Sequence, residues 1–264
     1  MKLNIVFSML FLSQLAWSNP SALCEANAEE KLVQFSQNVI PRQEKTIEVL
    51  TWNVYKFKKE NSFSDLVLLA NKSDIAFVQE AVHSQDLQAN AAQNISMDWT
   101  FFKSFCRDYG ATGVQTGSRF PQITVEAILA PGLEPVVNTP KVTGFSTVEI
   151  QGVKALLINV HGMNANKGLD FEKHMDQIYE VAKNFQGPII WAGDFNTWNP
   201  VRTAYLNAKA KALNMTVLKP EVDNRKLKLD HIIVRGFKAK SVTILENFIS
   251  SDHLPVRAEL ELSQ

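Results

Sequence analysis

The sequence predicts a mixed α/β (α+β) protein in which helices cover two packed β-sheets. Segments rich in β-branched and aromatic residues outnumber segments with helical periodicity, and hairpin-like neighbours occur towards both ends of the chain. No repeat, low-complexity tract or Gly/Ser linker divides the sequence. The chain has 264 residues, of which 45% are hydrophobic, and this is enough for one large core. We therefore expect a single domain over residues 44–264.

The predicted elements alternate along the chain. The strands are short apolar runs bounded by turn residues, namely Thr46–Val54, Asp74–Val82, Trp99–Phe105, Ile123–Leu129, Val153–Val160, Ile189–Ala192, Leu229–Val234, Lys240–Leu245 and Leu254–Leu260. The helices are predicted largely from apolar spacing near 3.6 residues, and they are Ala22–Val39, Ser64–Asn71, Ser84–Asn94, Phe171–Asn184 and Val201–Leu213. Gly110–Gly117 is predicted to be a glycine-containing loop.

Residues 1–18 have the features of a secretory signal peptide. Lys2 precedes an apolar stretch, and Ala16 and Ser18 have the small-residue spacing of a signal-peptidase site. The stretch is too short and too interrupted for a stable membrane span of about 20 residues. We expect a bacterial protein that is exported to the periplasm or secreted, with residues 19–43 forming an N-terminal helical arm.

The chain has two cysteines, Cys24 and Cys106. In an oxidising compartment they can form one disulfide that joins the arm to the domain, and two separate buried thiols are an equally open alternative. A lipid anchor on Cys24 is disfavoured because the preceding Leu23 is bulky.

The charge balance excludes one class of function. The 27 Lys and Arg residues equal the 27 Asp and Glu residues, so bulk charge does not hold this protein on nucleic acid or on an anionic membrane. A neutral protein can still have a locally charged cleft, and an enzyme therefore remains open.

Apolar strands end repeatedly in acidic, amide or imidazole residues. The six cases are Trp52-Asn53, Gln79-Glu80, Asn159-Val160-His161, Gly193-Asp194-Phe195-Asn196, Leu229-Asp230-His231 and Ser251-Asp252-His253. Taken singly, each has a structural explanation, such as a turn former, a helix cap or a surface carboxylate. Because strand ends can meet at one rim of a sheet, the whole set predicts a functional site there.

The residue types at this rim suit hydrolysis of a phosphate ester. Carboxylate and carbonyl oxygens are the ligands that Mg²⁺ or Mn²⁺ prefers. Such a reaction needs a cation for the phosphoryl oxygens, a carboxylate that orients or deprotonates water, and imidazoles for developing charge. The sequence has no G-x-S-x-G elbow, no Walker loop and no G-x-G-x-x-G motif.

The ordered series of strand-end residues resembles the endonuclease/exonuclease/phosphatase superfamily, which includes deoxyribonuclease I. The resemblance covers about Lys45 to Leu262, and the segments Asn159–Asn164 and Gly187–Trp198 are most similar to YafD-like bacterial proteins. It implies a four-layer αββα sandwich, with the site at one end of the paired sheets.

The resemblance also implies a role for each matched residue. Glu80 would be the main Mg²⁺ ligand, with Asn53 beside it and Asp252 near the metal. Asp194 would orient or deprotonate the attacking water, and Asn196 and His161 would bind phosphate oxygens. His253 would act in acid–base chemistry, held in its tautomer by Asp230. His231 is expected to be structural, and His83 is expected to lie in an exposed loop. Arg119 is expected to be structural as well, with an internal ion pair and a phosphate contact as equally open roles.

Two substrate classes remain, together with one non-enzymatic alternative. A nuclease is favoured because two basic runs flank the predicted site, formed by Lys56, Lys58 and Lys59 and by Arg225, Lys226 and Lys228; either run can equally be a solvated loop. A phospholipid or inositol-phosphate phosphodiesterase or phosphatase is the alternative. A catalytically inactive binding module is disfavoured, because it would not need the full residue set. We expect a monomer whose partner is its phosphate-ester substrate.

Overall fold

The computed structural model describes residues 24, 31–35, 39, 45–84, 93–135, 137–164 and 169–263. Its strands are β1 (Leu32–Phe35), β2 (Thr46–Asn53), β3 (Ile75–His83), β4 (Asp98–Arg107), β5 (Gly110–Ser118), β6 (Thr124–Leu129), β7 (Val142–Ile150), β8 (Val153–His161), β9 (Ile189–Asp194), β10 (Thr216–Val217), β11 (Asp230–Arg235), β12 (Phe237–Ile244) and β13 (Val256–Leu262). The α-helices are α1 (Ser62–Asn71), α2 (Asp170–Ala182) and α3 (Pro200–Ala212). The predicted signal peptide at 1–18 lies outside the described residues.

The strands form two mixed sheets. A seven-stranded sheet has the order β1-β4-β5-β3-β2-β13-β12, and a six-stranded sheet has the order β10-β11-β9-β8-β7-β6. Each sheet contains one parallel pair, β2 with β3 and β8 with β9, and every other pairing is antiparallel. The crossovers of the two parallel pairs contain α1 and α2, as expected because parallel strands need a long connection.

The two sheets pack face to face between layers of helix. Val49, Phe77, Leu157 and Ile190 belong to the apolar core between the sheets. On the outer face of the first sheet, α1 buries Leu66 and Leu69 against strand residues. On the outer face of the second sheet, α2 and α3 pack in the same way. The fold is therefore the predicted four-layer αββα sandwich. None of the described helices has the length and apolar character that crossing a membrane requires.

The sequence-based assignment is wrong at two segments, and it also misses β7. Gly110–Gly117 is not a loop but part of β5, where the absence of a side chain at Gly117 leaves room for the ring of Trp99. Leu32–Phe35, inside the predicted helical arm, forms β1 and pairs with β4 at the sheet edge. The apolar residues that suggested a helix there instead meet Trp99 to Phe102 across the strands, so tertiary pairing overrides the local pattern. The rest of residues 19–43 lies largely outside the described residues.

A disulfide joins Cys24 to Cys106 in β4 across 82 residues of sequence. A crosslink over a long loop lowers the conformational entropy of the unfolded chain. We therefore expect Cys24→Ser to lower the free energy of unfolding by about 2–4 kcal/mol. Urea unfolding with and without reductant measures this, and reductant should destabilise only the wild-type protein. Equal effects of reductant on both proteins would contradict the prediction.

His174 on α2 is buried, and its Nε2 lies 2.9 Å from Thr143 Oγ1 on β7. Burial and the nearby charge of Lys141 lower the pKa of His174 to about 3. Below about pH 6.5, His174 therefore becomes protonated in the unfolded chain but stays neutral in the folded protein. The free energy of unfolding consequently decreases as the pH falls. We expect His174→Asn to reduce the slope of unfolding free energy against pH by about 1.4 kcal/mol per pH unit between pH 6 and 4. Equal slopes in urea unfolding would contradict this prediction.

Candidate active site

The candidate site lies at the rim where both parallel strand pairs end. Asn53, His161 and Asp194 end β2, β8 and β9, and Glu80 lies within β3 directly after Gln79, where the pairing with β2 ends. The register pairs Asp194 with His161 on one side and with Asp230, the first residue of β11, on the other. Strand pairing therefore places three polar side chains side by side on one sheet.

Backbone irregularities direct two of these residues into the site. The ladder between β3 and β5 shifts between Gln79 and Ala81, and Glu80 at the shift has a left-handed φ of 52°. A bulge of this kind redirects a side chain out of the regular alternation of the strand. Gly193 precedes Asp194 with a φ of 146°, and a Cβ there would lie 2.0 Å from the carbonyl oxygen of Val160. Only glycine fits this approach of β9 to β8.

The buried carboxylate of Asp194 is the centre of the site. Its Oδ2 accepts a hydrogen bond from Asn53 Nδ2 at 3.1 Å, and its Oδ1 accepts one from the backbone N–H of Asn196 at 2.9 Å. Oδ2 also lies 3.6 Å from His161 Nε2 and 3.8 Å from His253 Nε2. Burial, followed by the neighbouring carboxylate of Asp230, raises the pKa of Asp194 to about 7. Hydrogen bonds from the protein therefore replace the water that normally solvates a carboxylate such as that of Asp194.

His253 and Asp230 form an oriented pair beside Asp194. Nδ1 of His253 donates to both carboxylate oxygens of Asp230, at 3.0 and 2.9 Å, so Nε2 is the nitrogen presented to the site. Burial opposes the charged imidazole, but the carboxylates of Asp230 and Asp194 outweigh it and raise the pKa of His253 to about 10. The indole of Trp52 anchors this segment by donating to the backbone carbonyl of His253 at 2.9 Å.

The opposite side of the site carries positive charge. Lys141 Nζ lies 3.0 Å from His161 Nε2, so a charged lysine donates to an imidazole that is unprotonated at that nitrogen. In agreement, burial and the charges of Lys141 and Lys56 lower the pKa of His161 well below its usual value. Glu80 pairs with Lys56 through Oε2, and its Oε1 lies 4.0 Å from His161 Nε2.

A buried amide pair fixes the two sheets relative to each other beneath the site. Gln79 Nε2 donates to Asn159 Oδ1 at 2.8 Å, across from β3 to β8. Asn159 Nδ2 in turn donates to the backbone carbonyl of Gln115 at 3.0 Å. Gln79 precedes Glu80, and Asn159 lies two residues before His161. The amide pair therefore sets the distance between the Glu80 and His161 sides of the site.

The residues present fit a divalent cation. One ligand atom each of Asp194, Asp230 and His253 lies within 4.8 Å of the others. Burial and mutual repulsion of the two carboxylates disfavour their ionised forms, as the raised pKa of Asp194 shows, and a cation would relieve this repulsion. Oxygen donors of this type suit Mg²⁺ or Mn²⁺, and Glu80 and Asn53 supply further oxygens at the same rim.

Most of the residues that the sequence singled out lie together, and Asp252 lies at their margin, where its charge still acts on His253. Those brought together are Asn53, Glu80, His161, Asp194, Asn196, Asp230 and His253. The side chain of Asp252 is exposed and accepts a hydrogen bond from Ser251 Oγ, so it is not within the three-residue cluster. Asn196 also donates its side-chain amide to the carbonyl of Gly162, which holds the segment after β9 in place.

Several secondary expectations are also resolved. His83 is buried, with its ring centroid 4.9 Å from that of Phe101, so the expectation of an exposed loop is wrong. Arg119 is internal and donates to the backbone carbonyls of Ser73, Ser96 and Asn71, as expected for a structural residue.

His231 is structural too, since its Nε2 lies 2.7 Å from Thr197 Oγ1. Arg225 pairs with both Asp223 and Asp230, which makes it a support of the site and not a solvated loop residue.

Sequence reasoning did not identify Lys141. It lies immediately before β7, which the sequence pattern also missed, and it follows Pro140 in a segment without strong periodicity. Its contact with His161 depends on the β7–β8 pairing across the sheet. No local signal marks such a contact, because the two residues are 20 positions apart.

Comparison with known proteins agrees with this geometry. The Endonuclease/Exonuclease/phosphatase family model matches residues 50–253, a span that begins within β2, includes β3, β8 and β9, and ends at His253. A UPF0294 protein of Vibrio campbellii is 24% identical over 242 residues, covering 88% of this chain and 84% of the relative.

Solved structures show the same fold. The human Nocturnin catalytic domain with bound sulfate has a TM-score of 0.65 at 19% identity, covering 88% of this chain and 97% of that domain. D. rerio TDP2 complexed with single-strand DNA product has a TM-score of 0.57 at 16% identity, covering 83% of this chain and all of the other. The family model spans most of the chain, and this protein belongs to the endonuclease/exonuclease/phosphatase family, a hydrolytic group that acts on phosphate esters.

Proposed function

We propose that this protein is an exported, divalent-metal-dependent phosphodiesterase that cleaves nucleic acid. One observation carries the proposal. The buried Asp194 carboxylate lies between His161, which accepts from Lys141, and His253, which is oriented by Asp230. This arrangement places a base, a lysine held by an imidazole and an oriented acid–base imidazole around one point.

Asp194 is the group that orients and deprotonates the attacking water. Asn53 and the backbone of Asn196 hold both of its oxygens, so the carboxylate cannot rotate away from the cleft. A base that is held at a constant position saves the entropy of orienting the water in the transition state.

His253, whose Nε2 lies 3.8 Å from Asp194 Oδ2, acts on the phosphoryl group beside the base. Asp230 accepts from Nδ1 and helps to raise the pKa of His253 to about 10, so the ring is doubly protonated; its Nε2–H faces the cleft and stabilises the oxygen on which negative charge develops. Lys141, which His161 holds in place by accepting at Nε2, binds a non-bridging oxygen of the scissile phosphate. Glu80, Asn53 and Asp194 would hold a divalent cation at this rim, and the cation would supply Lewis-acid stabilisation of the phosphoryl oxygens.

Nucleic acid is the favoured substrate class. Lys56, Lys58 and Lys141 place positive charge around the Glu80 side of the rim, where a polyanionic backbone would pass. D. rerio TDP2, which is similar in fold, is recorded with a single-strand DNA product.

Export is supported by two features. Residues 1–18 have the charge, apolar stretch and small-residue spacing of a signal peptide. The disulfide between Cys24 and Cys106 is of the kind that persists in oxidising compartments such as the bacterial periplasm.

The direct test is hydrolysis of bis(p-nitrophenyl) phosphate by the purified protein with Mg²⁺, Mn²⁺ or EDTA. We expect release of p-nitrophenol with either metal, none in EDTA, and strongly reduced release by His253→Ala purified in parallel. A parallel preparation of the variant excludes a contaminating nuclease.

Plasmid DNA, RNA, sphingomyelin and an inositol polyphosphate then separate the substrate classes. Cleavage of DNA or RNA supports the proposal. Turnover of the lipid or of the inositol phosphate only would replace nuclease by the alternative class. Absence of any metal-dependent activity above that of His253→Ala would overturn the enzyme proposal.

A further inference from the structure

A cleft of about 260 Å³ opens directly beside the candidate active site. Glu80 and His161 belong to its lining, so the cleft reaches the candidate active site. One wall is the hairpin of β4 and β5, and the other is the segment from Glu134 to Val142. None of the acid–base chemistry around Asp194 and His253 requires this cleft.

The lining of the cleft carries more positive than negative charge. Lys56 is paired with Glu80, and Lys141 is paired with Glu134 at 3.1 Å. Arg107 and Lys58 line the same cleft. Among the described residues, no carboxylate lies close enough to either side chain, that is within 4.0 Å, to form an ion pair. An anionic group in the cleft could therefore pair with Arg107 and Lys58 without displacing a carboxylate of the protein.

Aromatic surface lies next to this charge. Tyr109, at the turn of the hairpin, is 44% exposed and lines the cleft. The guanidinium of Arg107 lies over the ring of Phe105 at 5.1 Å and donates to the backbone carbonyl of Val137 at 2.9 Å. These contacts hold the guanidinium in one orientation, and the disulfide at the neighbouring Cys106 ties the same strand to the N-terminal segment.

We propose that this cleft binds the nucleotide adjacent to the scissile phosphate of a single strand, with Arg107 on the next phosphate and Tyr109 stacked on the base. Cationic side chains beside an exposed aromatic ring are the combination by which proteins bind single-stranded nucleic acid. A lipid headgroup or an inositol phosphate would use the charge but has no flat ring for Tyr109. The inference rests on the proposed phosphodiesterase activity and specifies its substrate.

Stacking on Tyr109 requires an unpaired strand. A base can stack on Tyr109 only when it is swung out from its complement, because paired bases are covered on both faces within the duplex. The protein should therefore prefer single strands, frayed ends or loops to an intact double helix.

The test compares Tyr109→Ala, Arg107→Ala and Tyr109→Phe with the wild-type protein on two substrates. Methyl p-nitrophenyl phosphate has neither a base nor a second phosphate, whereas a short oligothymidylate has both. We expect each alanine variant to raise KM for the oligonucleotide roughly five- to hundredfold, the range that loss of one stacked base predicts. Tyr109→Phe should retain the wild-type KM, and turnover of the small diester should stay unchanged in all three.

Lys154→Ala is the matched control for charge. Lys154 is exposed near the start of β8, at the opposite end of that strand from His161, and removing it changes the net charge as Arg107→Ala does. We expect this control to leave both substrates unaffected. A second comparison uses the same oligonucleotide as a blunt duplex, which the wild-type protein should cleave more slowly than the single strand.

The outcomes separate the two proposals. If the small diester is hydrolysed but the alanine variants leave KM for the oligonucleotide unchanged, or the duplex is cleaved as readily as the strand, the cleft proposal is overturned. If the small diester is not hydrolysed, the phosphodiesterase proposal fails. Fluorescence anisotropy of labelled oligothymidylate in the His253→Ala background then tests the cleft independently, because Tyr109→Ala should weaken binding there and equal binding would overturn the cleft proposal.

Discussion

Replacing Asp194 by asparagine is expected to lower kcat for a phosphodiester roughly a thousandfold or more, the range found for loss of a positioned general base. The amide keeps the size of the side chain and an oxygen that can accept from the backbone of Asn196. It has no basic lone pair for a proton from water, and its N–H group would meet the donating amide of Asn53. The loss should therefore appear in kcat while the fold persists.

Steady-state hydrolysis of bis(p-nitrophenyl) phosphate measures this loss, with circular dichroism as the check on folding. Asp176→Asn is the matched control, since Asp176 lies on α2 in contact with Tyr205 and Lys209, away from the rim. The control should retain wild-type kcat. Activity of Asp194→Asn within about tenfold of wild type would exclude the role of principal base, because such a role contributes at least about a hundredfold.

Replacing Asp230 by asparagine is expected to lower kcat by about two to four orders of magnitude, the range associated with loss of an imidazole's orienting or acid–base role. Asparagine has no negative charge to favour the imidazolium of His253, and an amide N–H offered to Nδ1 favours the neutral tautomer that is protonated only at Nε2. The histidine would then remain in place but present a neutral N–H to the phosphate instead of a charged one. The effect should again appear in kcat more than in KM.

Asp223→Asn is the control that isolates this effect. Asp223 and Asp230 both contact Arg225, but only Asp230 contacts His253. If the loss in Asp230→Asn arose merely from an unpaired Arg225, both variants would lose the same activity. The double variant Asp230→Asn/His253→Ala should be no slower than His253→Ala, because the two residues act as one unit. Additive losses would show that Asp230 acts apart from His253.

Much of the fold follows from local pattern. The apolar strands β2, β3, β8 and β9 are predicted within a few residues of their bounds, because buried parallel strands are continuous apolar runs that few other elements resemble. The polar residues that end these strands are visible for the same reason, since each interrupts an apolar run. The glycine-rich β5 was missed because Gly113 and Gly117 carry no side chain on which a pattern could be read.

The candidate site, like the fold, could be predicted only in part. Asp194, Asp230 and His253 could be selected from the chain because each follows or begins a buried strand or lies in the matched series. Their mutual distances could not, since they depend on the antiparallel register of β11 with β9 and on the hydrogen bond from Trp52. The exposure of the Asp252 side chain could not be predicted from the sequence either, because adjacent residues in a turn point in different directions.

The sequence by itself determined the layers of the sandwich and the residue types at its rim, because apolar periodicity and strand-end polarity are local properties of a chain. Tertiary structure decided which of those residues meet, and it added Lys141, Arg107 and Tyr109 to the surroundings of the site. The physical reason is the range of the interactions. The tendency of a residue to be buried is visible in its local sequence pattern. The Lys141–His161 contact and the cleft, in contrast, form only when strands distant in sequence pair with each other.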